Sequence, residues 1–327
     1  MKLKHRVFSI AIVPFFVFGW AYPPGTEKVI LKAMVNELSV ETSSTEAPQV
    51  KEITNKSFSV TGKAEKGADV FVLKNGEQYK TVKTNVEGSF SFTMPLQLAG
   101  TNFEFFTMDD KGTKSEKTKI TVLKENRPEK RILSAPLVKQ LPELPRGCEV
   151  TSLSMLLGHA GVNVDKMTLA AQVKKDGAKY INRKGKKYFG HPNNGFVGDM
   201  YTLKKPGFGV YNGPIEDLAS KYLPNRVVNL SGGNFEEVLN YIAAGHPVWV
   251  ITTSWFDHVP SKHWETWITE QGPIDITKKM HSVLITGYDQ NYLYFNDPLD
   301  GKVNKKVAIE KFIKGWKQFG NQAISYY

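Results

Sequence analysis

The stretch Gln140-Leu-Pro-Glu-Leu-Pro-Arg-Gly-Cys148-Glu-Val-Thr-Ser-Leu-Ser-Met-Leu-Leu157-Gly158-His-Ala160-Gly161 carries the only cysteine of a 327-residue chain. Pro142, Pro145 and Gly147 disfavour a helix interior. Beyond them Val150, Leu153, Leu156, Leu157 and Ala160 recur at helical spacing, and Gly158 and Gly161 supply a stop. A buried helix is therefore expected to start at or beside Cys148. Unpaired backbone N–H groups and the macrodipole at a helix start favour an anion, so a thiol placed there is expected to ionise readily and become a nucleophile. A lone cysteine is also commonly a small core residue, and the stretch by itself leaves both readings open.

Downstream, Asp165 is placed to cap a second helix carrying Met167, Leu169, Ala170 and Val173. Residues 177–213, rich in Gly, Asn, Tyr and Lys, read as a long irregular segment that wraps a groove. Helices are expected at Pro214–Tyr222 and at Phe235–Ala243, where Asn234 and Glu237 stand at capping-box spacing. The run from Pro247 to Thr252 reads as a buried strand.

Met280-His281-Ser-Val283-Leu-Ile285-Thr reads as a strand, Gly287 to Asn291 as a turn, and Tyr292-Leu-Tyr294-Phe-Asn296-Asp297 as the returning strand stopped by Pro298. With an odd-length loop, His281 and Asp297 share one face of this hairpin, directly opposite or one diagonal step apart. An even-length loop puts them on opposite faces, because a one-residue slip inverts the face. Singly, His281 reads as a core histidine and Asp297 as a turn residue. With Cys148 they make the set that thiol chemistry needs: a nucleophile, an imidazole to take its proton and a carboxylate to orient the imidazole.

Upstream the period changes to two. Phe58–Gly62, Asp69–Leu73, Tyr79–Val82, Gly88–Met94, Asn102–Phe106 and Lys119–Val122 read as strands separated by Gly-containing turns, the pattern of a small β-sandwich over residues 49–123. Residues 124–131 form a charged connector and 22–48 a linker, with a short helix conceivable at Val29–Leu38. At the front, three basic residues precede an uncharged run from Val7 to Trp20 that closes on Gly19-Trp20-Ala21, so residues 1–21 read as an export signal. Cleavage after Ala21 and retention as an N-terminal anchor both stay open. The expected location is extracellular, secreted or tethered to the outer face of the cell membrane.

The formal net charge is +11, with lysines scattered rather than gathered into an aromatic-interleaved stripe. That suits contact with an anionic cell envelope through the basic surface and the sandwich, and argues against nucleic acid as a partner. Asp257, His258, His263 and Glu265 cluster near Trp255, Trp264 and Trp267, but their spacing fits no zinc pattern, so they are expected to line a groove or pack. No nucleotide-binding loop and no Gly-x-Ser-x-Gly elbow is present. Neither a cofactor nor a metal is expected.

The string from Gln140 to Leu157 resembles the nucleophile motif of papain-like cysteine peptidases similar to the bacteriocin-leader (double-glycine) peptidases. Asn194–Asp199, Gly245–Val248, His281–Tyr288 and Asn296–Pro298 resemble that family's later blocks in the same order, over residues 132–327. Residues 49–123 resemble the bacterial immunoglobulin-like modules of surface proteins, which act there as spacers or adhesive units. The resemblance implies an α+β papain-like cysteine peptidase domain, with the nucleophile helix packed on an antiparallel sheet, preceded by a small all-β sandwich. It further implies Cys148 as nucleophile, His281 as general base and then acid, Asp297 as orienting carboxylate and Gln140 as an oxyanion donor beside the Cys148 N–H. The implied substrate is a peptide or protein, although the export signal and the absence of a transporter mean that a double-glycine leader does not follow. Acyl transfer to an amine on cell-wall peptides, and an inactive surface binding module, are the alternatives.

Overall fold

Alternation of apolar and polar residues sets the first half of the fold. The computed structural model describes residues 46–109 and 112–327; the expected export signal, the segment Val29–Leu38 and most of the 22–48 linker lie outside the described residues. Seven strands, β1 (Gln49–Val50), β2 (Ser59–Lys63), β3 (Asp69–Lys74), β4 (Glu77–Lys83), β5 (Ser89–Thr93), β6 (Asn102–Thr107) and β7 (Thr118–Thr121), form two sheets ordered β1-β2-β5 and β4-β3-β6-β7. Val60, Phe90 and Phe92 from the first sheet meet Val70, Val72, Phe103 and Phe105 from the second in one dry core. Burying such side chains contributes roughly 1.5–3 kcal/mol each.

The connector is fastened to the second domain. Arg127 bonds Asn240 Oδ1 at 2.8 Å and pairs with Glu236 at 2.7 Å. Phe58 and Leu96 of the sandwich pack into the second domain's core, Phe58 lying against His246 at 4.2 Å and Tyr241 at 5.7 Å. Phe58 is half-buried there, so Phe58→Ala is expected to cost about 1–2 kcal/mol. Calorimetry should show the sandwich and the second domain melting further apart than in the wild type, and an unchanged thermogram would refute this docking role.

The second domain comprises β8 (Arg131–Ile132), α1 (Cys148–His159), α2 (Lys166–Gln172), β9 (Lys175–Asp176), β10 (Ile181–Arg183), β11 (Lys186–Tyr188), β12 (Phe196–Val197), α3 (Asn212–Tyr222), β13 (Val227–Asn229) and α4 (Phe235–Ala243). It continues with β14 (Val248–Thr253), β15 (Glu265–Thr269), β16 (Gly272–Ile276), β17 (Met280–Tyr288), β18 (Tyr292–Asp297), β19 (Lys302–Ala308), α5 (Ile309–Lys317) and β20 (Ala323–Tyr326). The main sheet runs β13-β20-β14-β17-β18-β19, antiparallel throughout, with β8 added beside β17.

Side chains alternate across this sheet and divide the core. Trp249, Ile251 and Leu284 face α1, α2 and α3, whereas Val248, Val250, Val283 and Ile285 face α4 and α5. Both fully buried tryptophans keep their indole N–H satisfied, Trp249 on the Glu149 carbonyl and Trp316 on the Gln322 carbonyl, each at 2.9 Å. Asp165 caps α2 through the Met167 and Thr168 amides, and Asn234 caps α4 through Glu237 N–H. Among the described residues no helix is long and apolar enough to cross a membrane.

The segment read as irregular, 177–213, departs from expectation. It holds the hairpin β10–β11, and β11 pairs in parallel with β15 to make a four-stranded sheet β10-β11-β15-β16. Its turn residues Lys184 and Gly185 both take positive φ, 48° and 76°. The strands are short and largely exposed, so they carry no apolar alternation for a sequence reading to detect.

Candidate active site

Helix α1 starts at Cys148, and every residue from Cys148 to Leu157 is buried. Cys148 is 8% exposed. It donates to Glu149 Oε2 at 3.3 Å, and the other oxygen, Oε1, accepts the Val210 N–H at 3.0 Å. The expectation of a readily ionised thiol is thereby corrected. Burial, then the Glu149 carboxylate, push the Cys148 thiol well above its ordinary value, and the N–H groups of Ser282 and Cys148 offset only part of this. A helix start offers roughly half a unit of charge, which is less than the loss of hydration together with an adjacent anion.

Strands β17 and β18 bring in the imidazole and the carboxylate. Tyr288 pairs with Leu293 and the Asp289 N–H bonds the Tyr292 carbonyl at 2.9 Å, so the loop proper is the two-residue pair Gln290-Asn291. That even loop would by itself set His281 and Asp297 on opposite faces. A β-bulge between Ile285 and Gly287 reverses the outcome: Thr286 is the extra residue, and beyond it Ile285 pairs with Phe295 and Leu284 with Asn296. His281 and Asp297 thus return to one face, a diagonal step apart, and His281 Nε2 bonds Asp297 Oδ1 at 2.8 Å. The bulge is held from the other side, where the Leu133 N–H bonds the Thr286 carbonyl at 2.7 Å. Gly287 is required there, because a Cβ would lie 2.6 Å from the Arg131 carbonyl oxygen of β8.

Asp297 is 2% exposed and has no free oxygen. Oδ1 also accepts the Leu299 N–H at 3.0 Å, and Oδ2 accepts Lys305 Nζ at 2.9 Å. Burial acts to raise its pKa, but His281, Lys305 and the Leu299 amide outweigh burial and hold the carboxyl well below the usual carboxylate range. Because the folded value is depressed, this pairing stabilises the fold fully above about pH 4 and is lost only as pH falls through the folded value. Lys305 also bonds Asp300 at 2.8 Å and lies 4.6 Å over the Phe256 ring, whose edge stands against His281.

Gln140 is 2% exposed and anchored by its backbone, its N–H bonding the Pro298 carbonyl at 2.9 Å. Its Nε2 donates to the Leu144 carbonyl at 3.2 Å and more loosely to Pro145 at 3.4 Å, while Oε1 is buried with no hydrogen-bond partner among the described residues. Gln140, Cys148 and His281 line one cavity of about 560 Å³. Its far wall includes Phe189, Phe208 and Trp267, and its rim includes Arg146, Lys204 and Lys278. Arg146 holds that rim in shape by donating to the Asp199 and Thr202 carbonyls.

A model described as the Peptidase_C39 like family matches residues 132–324. The chain belongs to that family. A bacterial Ig domain model matches residues 45–124. The C39-like domain is 47% identical over 183 residues to the uncharacterised Bacillus subtilis protein YvpB, covering 56% of this chain and 70% of that one. It is also similar to a crystal structure from Bacillus anthracis assigned as a C39-like peptidase, with 46% identity and a TM-score of 0.57, covering 61% of this chain and 98% of that one. The fold is therefore that of a C39-like peptidase domain behind an immunoglobulin-like module.

All four residues singled out from sequence fall within this site: Gln140, Cys148 and His281 on the cavity, and Asp297 directly behind His281. Of the tryptophan-rich cluster, Glu265 and Trp267 line the cavity, with Glu265 paired to Lys187, whereas Asp257 faces Lys311 at 3.8 Å. Among the described residues no group of three or more His, Cys, Asp or Glu side chains is arranged to hold a metal ion. Sequence reasoning missed Lys305 and Glu149. Glu149 did carry a signal, being the one acidic residue in a helix that up to Gly158 is otherwise apolar or small and polar. Lys305 carried none, since strand β19 is rich in lysine.

Proposed function

We propose that this protein is a cysteine peptidase that hydrolyses peptide bonds through Cys148, His281 and Asp297. The observation that carries the reading is the His281–Asp297 pair, buried and hydrogen-bonded, opening onto the cavity that also receives the Cys148 thiol. Asp297 takes the Nε2–H of His281, which fixes the tautomer and leaves Nδ1 to accept the thiol proton. The thiolate sulfur then attacks the substrate carbonyl carbon, and the carbonyl electrons move onto oxygen.

That oxyanion is met by the backbone N–H of Cys148 and by the Gln140 amide, whose long contact with Pro145 is readily exchanged for a charged acceptor. Collapse breaks the C–N bond, and the amine leaves with the proton from His281. Water, deprotonated by the same ring, cleaves the thioester and restores the thiol. The test is turnover of a terminally blocked peptide library by the wild type and by Cys148→Ala; cleavage by both would end the reading. The Lys-rich start, the apolar run from Val7 to Trp20 and the closing Gly-Trp-Ala support export to the cell exterior, where the Ig-like module and the basic surface would meet the envelope.

The cavity rim adds a substrate preference. Lys204 and Lys278 are exposed and make no ion pair among the described residues, where Glu265, paired with Lys187, is the one acidic side chain of the lining. Library members with acidic residues beside the scissile bond are expected to be cleaved best. The double variant Lys204→Glu, Lys278→Glu should lose about tenfold in kcat/KM on those peptides, and little on neutral ones. Equal losses on both classes would contradict electrostatic selection.

A further inference from the structure

We propose that Glu149 is a positioning residue that holds the Cys148 thiol protonated at rest, so that the site is released to react when Glu149 itself takes up a proton. The inference rests on the reading of Cys148 as the nucleophile, and it adds a form of regulation that the reading does not require. Glu149 is 1% exposed, and each of its carboxyl oxygens is spoken for: Oε2 by the Cys148 thiol at 3.3 Å, and Oε1 by the Val210 amide at 3.0 Å.

The close approach of the Val210 segment is built in. A Cβ on Gly209 would lie 2.2 Å from both Glu149 Oε1 and the Met280 methyl, so glycine lets the cavity wall at 207–210 dock onto the acid without displacing either side chain. The groups facing Glu149 can be named element by element. The 207–210 segment offers an amide, β14 offers the Trp249 indole to the Glu149 carbonyl, and β17 offers the Met280 thioether. Lys175 of β9 is the cation that acts on it across space, its Nζ held by the Ala170 carbonyl at 2.6 Å and lying 5.3 Å over the Phe196 ring. On α1 itself, Cys148 is the titratable neighbour.

The consequence is a shared proton. With Glu149 ionised, forming the Cys148 thiolate and the His281 imidazolium would place two anions side by side in a buried pocket, a costly arrangement. The thiol therefore keeps its proton and donates it to the carboxylate. With Glu149 protonated, its O–H turns round as a donor to the sulfur, and the thiolate–imidazolium pair carries no second anion. Burial pushes the Glu149 carboxyl up to about 7, against the pull of the Val210 amide and its other partners. The switch therefore falls in the neutral range: the site is enabled as pH falls through that value and restrained above it.

The experiment is iodoacetamide alkylation of Cys148, followed by intact mass spectrometry across neutral pH, in the full chain and in Glu149→Gln. Glutamine keeps the Val210 acceptor and cannot carry charge. The variant-to-wild-type rate ratio is expected to be close to one in mild acid and to climb to about tenfold or more in mild alkali, one pKa unit being a factor of ten. A ratio constant with pH would overturn the proposal. Should Glu149→Gln fail to fold, Glu149→Asp, whose shorter side chain draws back from the sulfur, must shift the alkylation profile in the same direction, and an unshifted profile overturns the proposal equally. Alkylation reads the thiol and not peptide turnover, so a protein that cleaves no peptide but shows the changing ratio would defeat the peptidase reading alone. Active turnover with a constant ratio would defeat only this one.

Discussion

Cys148→Ala is expected to reduce kcat on blocked peptides by on the order of a million-fold, to the level that binding and oxyanion contacts alone provide. Among the described residues lining the cavity Cys148 carries the one thiol, and a thiolate is a far stronger nucleophile at neutral pH than the Ser254 and Thr277 hydroxyls that share the lining. The fold should survive. The lost atom is a single buried sulfur at the first residue of α1, and a deletion of that size costs about 1 kcal/mol. Circular dichroism and thermal melting of the purified variant would check this beside the activity assay. A folded Cys148→Ala protein that retains turnover would leave no role for the thiol.

Asp297→Asn should be nearly as damaging, with a fall in kcat of about ten-thousand-fold by the logic of such triads, where the amide favours the wrong imidazole tautomer. Here a second effect adds to it. Lys305 is held between Asp297 and Asp300, and the amide turns one of its two anionic partners neutral. The lysine is then drawn towards Asp300, and the ring of His281 loses the carboxylate that Lys305 keeps in place. Lys305→Met separates the two effects, because it leaves the carboxylate but frees its second oxygen. Its kcat should lie between those of the wild type and Asp297→Asn. A Lys305→Met enzyme as slow as Asp297→Asn would mean that the lysine acts on the reaction itself.

Six of the seven sandwich strands were legible because apolar residues facing the core alternate with residues facing outward, which writes a period of two into the sequence, whereas the two-residue β1 is too short to show it. The nucleophile helix was legible from apolar residues at helical spacing beyond the break at Gly147, although every residue from Cys148 to Leu157 is buried. What escaped was decided by tertiary contacts. The loop of the His281 hairpin has the even length that should have separated His281 from Asp297, and only the bulge at Thr286 reunites them. The visible sign was Gly287, which reads from sequence as the start of a turn and proves to be the point where the β8 backbone passes close to β17. The thiol was misjudged for a related reason. The helix start is local and readable, but burial and the adjacent Glu149 carboxylate, itself held by the Val210 amide, outweigh it. The hairpin β10–β11 left no apolar trace because both its faces are largely exposed.

Nucleophilic catalysis by Cys148 requires a covalent acyl intermediate at that one sulfur. Protein quenched in acid during turnover of the blocked peptide library and weighed intact should carry an acyl group on Cys148 that hydroxylamine removes and that Cys148→Ala never acquires. Peptide cleavage by protein that remains unmodified at Cys148 throughout would contradict it.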